Sequence, residues 1–207
     1  MSFSGKNIVI CGCTSGIGLS TAYSLSKQGA KLFLIGRNGE KLKDLASQFN
    51  QTYYVLDLNI AQDIDYERIA VECQQYMDKL DGLVYTAGVA SIMPIRSITR
   101  DYVRNTFSVN LYGFISLIKN LLEHLECSKA SIVGVSSGAA QNPAIGQSVY
   151  AASKAAMNVA TQALACEFLD KQIRINTIMP WIVDTKMIKD AEGNGTMSIE
   201  KLMRFKI

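Results

Sequence analysis

The stretch Ile8-Val9-Ile10-Cys11-Gly12-Cys13-Thr14-Ser15-Gly16-Ile17-Gly18 runs from a short apolar strand through a glycine-rich turn into a helix. Glycine lets such a turn close and lets backbone N–H groups approach an anion, whose charge also suits the positive end of the helix that follows. The spacing is G-x-x-x-G-x-G rather than the commoner G-x-G-x-x-G, and the strand before it and helix after it are the context a dinucleotide site requires.

Working outward, further short apolar runs follow at Lys31–Ile35, Thr52–Val55, Leu83–Tyr85, Ser131–Val135 and Ile173–Ile178. Helix-length segments separate them, at Ile17–Gln28, Glu40–Phe49, Asp65–Met77, Tyr102–Leu125 and the Ala-rich Ser148–Leu169. Strands apolar along their whole length belong to a parallel sheet covered on both faces. The pattern predicts an α/β chain with a doubly wound parallel sheet, the Rossmann fold, in three layers α/β/α. With 207 residues, three prolines and no linker or repeat, a single domain over 1–207 is expected, with the substrate site built into the dinucleotide-binding unit.

Composition narrows the function. Twenty-one basic against 18 acidic residues leave +3, without a like-charged run, so neither nucleic acid nor an anionic membrane is an indicated partner. No apolar stretch reaches the roughly 18 residues that span a bilayer, and the first residues lack a signal-peptide pattern, which predicts a cytoplasmic protein. Five cysteines without paired C-x-x-C spacing suit reduced thiols better than disulfides, and no metal is expected. Asp63, Asp65, Glu67 and Glu72 read as the wet face of a helix, and His124, among leucines, as structural.

Phosphate contact is expected from Gly12, Thr14, Ser15, Gly16, Ile17 and Gly18. About 20 positions beyond such a turn, the end of the second strand meets the adenosine ribose. That corner reads Gly36-Arg37-Asn38, with no acid for a 2′-hydroxyl and with a guanidinium suited to a 2′-phosphate, which favours NADP(H) over NAD(H). Asp57, just after the third strand, and Leu58 beside it are placed for the adenine, with a helix N-cap as the other reading of Asp57.

Ser136-Ser137 follows the fifth strand, and thirteen residues beyond Ser137 comes Tyr150-Ala151-Ala152-Ser153-Lys154. Positions i and i+4 share a helix face, so Tyr150 and Lys154 point the same way. A neighbouring cation favours phenolate, and a lowering of the phenol pKa by ~2 to 3 units suits it to proton transfer.

Together these segments resemble the short-chain dehydrogenase/reductase family, in its compact form. The family's T-G-x-x-x-G-I-G is met by Cys11-Gly12 through Gly16-Ile17-Gly18, its N-N-A-G by Tyr85-Thr86-Ala87-Gly88, and its P-G-x-V-x-T by Pro180-Trp181-Ile182-Val183-Asp184-Thr185. The likeness runs from about Lys6 to Met187. It implies a hydride-transferring oxidoreductase acting on a small carbonyl or alcohol substrate. In that scheme Tyr150 is the general acid, Ser137 holds the carbonyl oxygen, Lys154 bonds the nicotinamide ribose, and Asn110 anchors a proton-relaying water. Ala87, Gly88, Pro180, Val183 and Thr185 would line the cofactor, and a homodimer or homotetramer is implied. A catalytically silent nucleotide-binding regulator or interaction protein on the same fold is the rival reading.

Four departures stand out. Cys11 and Tyr85-Thr86 replace residues that support the cofactor, and Trp181 replaces a glycine, either shaping the substrate site or merely packing there. The further helix and seventh strand implied by the resemblance do not follow before Ile207, so either the chain is shortened or this member dispenses with that strand. Residues 186–207, with Gly193 and Gly195, are expected to form a mobile substrate lid.

Overall fold

The computed structural model describes residues 2–49, 54–57, 64–181 and 183. Six strands form one parallel sheet: β1 (Asn7–Cys11), β2 (Lys31–Gly36), β3 (Tyr54–Asp57), β4 (Gly82–Tyr85), β5 (Ser131–Val135) and β6 (Arg174–Ile178). Their spatial order is β3-β2-β1-β4-β5-β6, so the winding reverses between β1 and β4 and leaves a crevice at their carboxyl ends. The doubly wound parallel sheet read from the apolar runs is the observed one.

Strand residues alternate between two cores, as the two-residue period of an extended chain demands. Val9, Cys11, Phe33 and Ile35 face a cluster with Phe114, Leu117, Leu121 and Met157, whereas Ile8, Ile10, Leu32 and Leu34 face Ala22, Leu25, Leu42 and Leu45. The second cluster is closed by α1 (Gly16–Lys27) and α2 (Gly39–Ser47). The first is closed by α3 (Ile64–Tyr76), α5 (Gly113–Glu126) and α6 (Ser148–Glu167). Both faces of the sheet are thus covered, giving the three layers. On α3 the Arg68 Nε–Glu72 Oε1 ion pair, at 2.7 Å, lies on the wet side.

Two elements differ from the sequence expectation. The third strand reaches further toward the carboxyl end than Val55, because pairing with β2 sets Tyr54 against Phe33 and Asp57 against Gly36, while Thr52 and Tyr53 lie outside the described residues. Asp57 is therefore the last residue of β3 and not the residue after it.

The single helix expected over Tyr102–Leu125 is instead α4 (Arg100–Phe107), a π-helical stretch at Ser108–Tyr112, and α5. Gly113 explains part of the break, since a Cβ there would lie 2.5 Å from the Tyr85 hydroxyl and 2.7 Å from that of Tyr66. Tyr85 also donates to the Val109 carbonyl at 2.6 Å, pinning the widened turn to the end of β4. Such π-bulges recur at functional sites, and this one carries Asn110.

No helix among the described residues is long and apolar enough to cross a membrane. The five cysteines are all free, with Cys11, Cys13 and Cys73 buried and Cys127 and Cys166 exposed. The lid expected over 186–207, and with it the question of a seventh strand, lies outside the described residues.

Candidate active site

At the end of β1 the backbone turns through Gly12, whose φ of +89° suits glycine alone, and Gly16 follows at +54°. A Cβ on Gly12 would stand 2.5 Å from the Ala87 nitrogen, and one on Gly18 would overlap the Gly12 carbonyl oxygen and the Thr86 hydroxyl. Strand β1's turn and the loop after β4 thus touch backbone to backbone across the crevice. Thr86 fastens them: its amide donates to Cys11 at 2.8 Å, and its hydroxyl lies 2.9 Å from the carbonyl oxygens of both Cys11 and Gly12.

Helix α1 begins here without a side-chain cap and without an acidic residue in its first turn, although Ser15 occupies the N-cap. Side chains close the starts of α2 and α4, whereas α5 and α6 also begin without a side-chain cap but lack the G-x-x-x-G-x-G turn that opens α1. Asn38 caps α2 through the Lys41 amide at 2.9 Å, with Glu40 in its first turn, and Thr99 caps α4 with Asp101 in its first turn. An uncapped, acid-free N-terminus above three glycines is the environment a pyrophosphate requires. The residues present therefore fit a dinucleotide.

Arg37 is exposed at the end of β2, directly after Gly36, whose Cα faces the Thr14 methyl group. The guanidinium corner and the glycine turn therefore adjoin. Asn38 is engaged as a cap, so neither residue after Gly36 presents a carboxylate.

On the other side of the crevice four side chains converge. Lys154, 4% exposed, donates from Nζ to the Val135 carbonyl at 2.7 Å. Asn110 is fully buried, its Oδ1 accepting from the Val89 amide at 2.8 Å and its Nδ2 donating to the Val89 carbonyl and Ser153 Oγ, each at 2.9 Å. Ser153 in turn donates to the Tyr150 carbonyl at 2.7 Å, and Ser136 Oγ donates to the Lys154 carbonyl at 3.1 Å. The π-helical turn, the loop after β4 and α6 are thereby locked together around Tyr150 and Lys154. A Cβ on Gly88 would lie 3.4 Å from both Asn110 Oδ1 and Lys154 Nζ, so Gly88 forms the floor between them.

Ser137 caps a 3₁₀ turn at Gly138–Ala140, its Oγ accepting from the Ala139 amide at 3.1 Å, and it hydrogen-bonds the Tyr150 side chain. Burial raises the Tyr150 pKa above the ordinary phenol value, and the Ser137 bond opposes that rise. This differs from the lowering expected from the spacing of Tyr150 and Lys154. The physical reason is that the ammonium is turned to the Val135 carbonyl while both groups lose water. Lys154 itself is pulled down by burial to about 8.

The remaining expected residues fall as follows. Pro180 is fixed by its carbonyl, which accepts from the Gly138 amide at 2.9 Å, and Val183 is exposed. Ala87 packs against the glycine turn, and the Asp57 backbone closes β3. Leu58 and Thr185 lie outside the described residues. The sequence marks Thr86 only as a departure from the family pattern; its clasping role depends on partners 74 and 75 positions away.

The model of the short chain dehydrogenase family matches residues 6–194. Among curated proteins, the chain is 32% identical over 195 residues to an L-xylulose reductase of Caenorhabditis elegans, covering 91% of this chain and 76% of the relative. It is 32% identical over 216 residues to a benzil reductase of Saccharomyces cerevisiae that forms (S)-benzoin, covering 97% and 81%. Among solved structures, a short chain dehydrogenase of Shigella flexneri 2a complexed with NADP superposes with a TM-score of 0.87 at 26% identity, covering 96% of this chain and 85% of that one.

Proposed function

The chain belongs to the short-chain dehydrogenase/reductase family, and from that membership we propose that it is an NADP(H)-dependent oxidoreductase that reduces a ketone to a secondary alcohol, or runs the reverse reaction. The observation that carries this reading is the hydrogen-bonded Ser137–Tyr150 pair beside buried Lys154, set across the crevice from the uncapped start of α1.

The cofactor, when bound, supplies the hydride. The protein's own groups orient the reactants and manage the proton. Ser137 Oγ accepts from Ala139, and its own proton, which faces the Tyr150 oxygen, turns to the carbonyl oxygen of a substrate set between the two hydroxyls. Tyr150, kept protonated by its raised pKa, delivers its hydroxyl proton to that same oxygen as negative charge grows there. The Lys154 ammonium then stabilises the phenolate left behind and holds the ribose side of the site. Both Nδ2 hydrogens of Asn110 are engaged by Val89 and Ser153, so Asn110 acts by positioning, and any water it anchors must meet an oxygen.

Gly12, Thr14, Ser15, Gly16, Ile17 and Gly18 receive the pyrophosphate, Asp57 and Leu58 the adenine, and Arg37 a 2′-phosphate. Ala87, Gly88, Pro180, Val183 and Thr185 line the nicotinamide end. The NADP complex of the Shigella relative supports the choice of phosphorylated cofactor. Free cysteines support a cytoplasmic location, and the homodimer or homotetramer of the family is carried over as part of the proposal.

Titration with NADPH and NADH, followed by nicotinamide fluorescence, tests the cofactor. NADPH is expected to bind more tightly, and Arg37→Ala to weaken NADPH about tenfold, or ~1.4 kcal/mol, with NADH changed less than about twofold. Equal losses for both would remove the NADP(H) preference, and binding of neither would favour a catalytically silent interaction protein.

A further inference from the structure

Trp181 is the chain's sole tryptophan and stands one residue beyond the site's serine loop in space. The segment leaving β6 continues alongside the segment leaving β5: Ser136 donates to the Ile178 carbonyl at 2.8 Å and Gly138 to the Pro180 carbonyl at 2.9 Å. That pairing carries the indole onto Gly138. A Cβ at Gly138 would fall among Cε3, Cζ3 and Cδ2 of the six-membered ring, so the ring lies directly over the Gly138 Cα. Gly138 is buried beneath it, yet Trp181 remains 55% exposed. A tryptophan used only for packing buries its ring, whereas here one part of the indole is seated and the rest is open.

The seat adjoins the reacting groups. Ser137, immediately before Gly138, bonds Tyr150, so the indole sits one residue from the two hydroxyls assigned to the carbonyl oxygen. The loops that leave the carboxyl ends of β4 and β5 each carry an exposed aliphatic residue as well. Met93 donates to the Gly146 carbonyl at 2.8 Å, tying the loop after β4 to the loop after β5, and beside this tie stand Ile95 and Ile145, 79% and 67% exposed. No charged group of the described residues is hydrogen-bonded or ion-paired to Trp181, Ile145 or Ile95.

We propose that Trp181 is a specificity-determining residue of this site, a fixed aromatic wall seated on Gly138 that selects ketones bearing a flat, apolar ring next to the carbonyl. The proposal rests on the reductase reading and deepens it. A planar aryl group stacks on the open indole face while its carbonyl reaches Ser137 and Tyr150; a puckered ring or a hydroxylated chain gains less there, because it cannot lay a flat π face on the indole.

The test compares acetophenone with cyclohexyl methyl ketone, which differ in the flatness of the ring, using the NADPH-loaded full chain. Wild type is expected to prefer acetophenone in kcat/KM. Trp181→Ala is expected to cost acetophenone about tenfold, mainly through KM, with cyclohexyl methyl ketone changed less than about twofold and NADPH affinity unaltered; Trp181→Phe restores acetophenone to within about threefold. Acetophenone is also expected to quench the emission of Trp181 saturably, with a midpoint near its KM. Equal losses for both ketones, no loss, turnover of neither with NADPH bound, or no saturable quenching would each overturn the assignment. Failure of NADPH to bind would instead strike the reductase reading and take this inference with it.

Discussion

At the carboxyl end of β1 the site is shaped by side chains that are missing, and at the ends of β4 and β5 by side chains that are held. Gly12 and Gly18 keep their place because a Cβ on either would meet the backbone of Ala87 or Gly12. Lys154 and Asn110 keep theirs because the carbonyls of Val135 and Val89 receive their donors. The first region leaves no slack, since backbone meets backbone and neither side can rotate away. The second is a set of polar side chains whose frame is the backbone of other elements. Damage to the first should be read as lost stability as well as lost binding, and damage to the second as lost turnover without loss of stability near neutral pH.

The sharpest probe of that difference is Tyr150→Phe. The phenol serves the substrate oxygen, and its ring packing survives the change, so turnover should fall by about a thousandfold, ~4 kcal/mol in barrier. NADPH affinity should stay within a few fold and the thermal midpoint within about 2 °C. Single-turnover kinetics beside a binding titration checks both halves of the statement. A fully active Phe variant would remove Tyr150 from the chemistry.

Gly18→Ala is the opposite experiment. The new methyl overlaps the Gly12 carbonyl oxygen and the Thr86 hydroxyl, which is itself fastened to Cys11 and Gly12. Relief requires the β1 turn to part from the loop after β4, at a cost of about 2–3 kcal/mol. Urea unfolding should show that loss, and the same protein should fail to retain NADPH. An unchanged midpoint would mean that the two segments are free to separate, and the comparison between the regions would collapse.

How far each region is legible in the sequence follows the same division. The strands are continuous apolar runs and the glycine turn is contiguous, so β1, β2, β4 and the start of α1 stand where local pattern puts them. The catalytic side is assembled from afar. Asn110 is fixed by Val89, 21 positions back, and Lys154 by Val135, 19 positions back, contacts that no local period encodes. For the π-helical break there is one local signal: Gly113 in the middle of an amphipathic run, where glycine costs about 1 kcal/mol relative to alanine. The hydroxyls of Tyr85 and Tyr66 supply its reason, and they come from β4 and α3. The spacing of Tyr150 and Lys154 points to a lowered phenol pKa whereas burial raises it, because a shared helix face says nothing about where an ammonium turns or how much water both groups lose.

Lys154→Met tests the held side chains from the stability side. Burial pulls the lysine from 10.5 down to about 8. Below about pH 8 it is charged in both folded and unfolded chains, and the folded chain bears the full cost of a nearly dry cation. Between about 8 and 10.5 the folded group is neutral while the unfolded one still binds a proton, so this group makes stability rise with pH across that window. Methionine of similar length removes the cost at pH 7 but leaves the Val135 carbonyl without its donor, for a net gain of about 1 kcal/mol. Urea midpoints of wild type and variant at pH 7 and pH 10 check the sign, because other titrating groups cancel in the difference. The variant should lead at pH 7 and lose its lead by pH 10, with turnover abolished at both. A variant less stable at pH 7 by the same margin as at pH 10 would show that the Val135 bond outweighs desolvation. The lysine would then be structural cement like the glycines across the crevice, instead of a strained group kept in place for its charge.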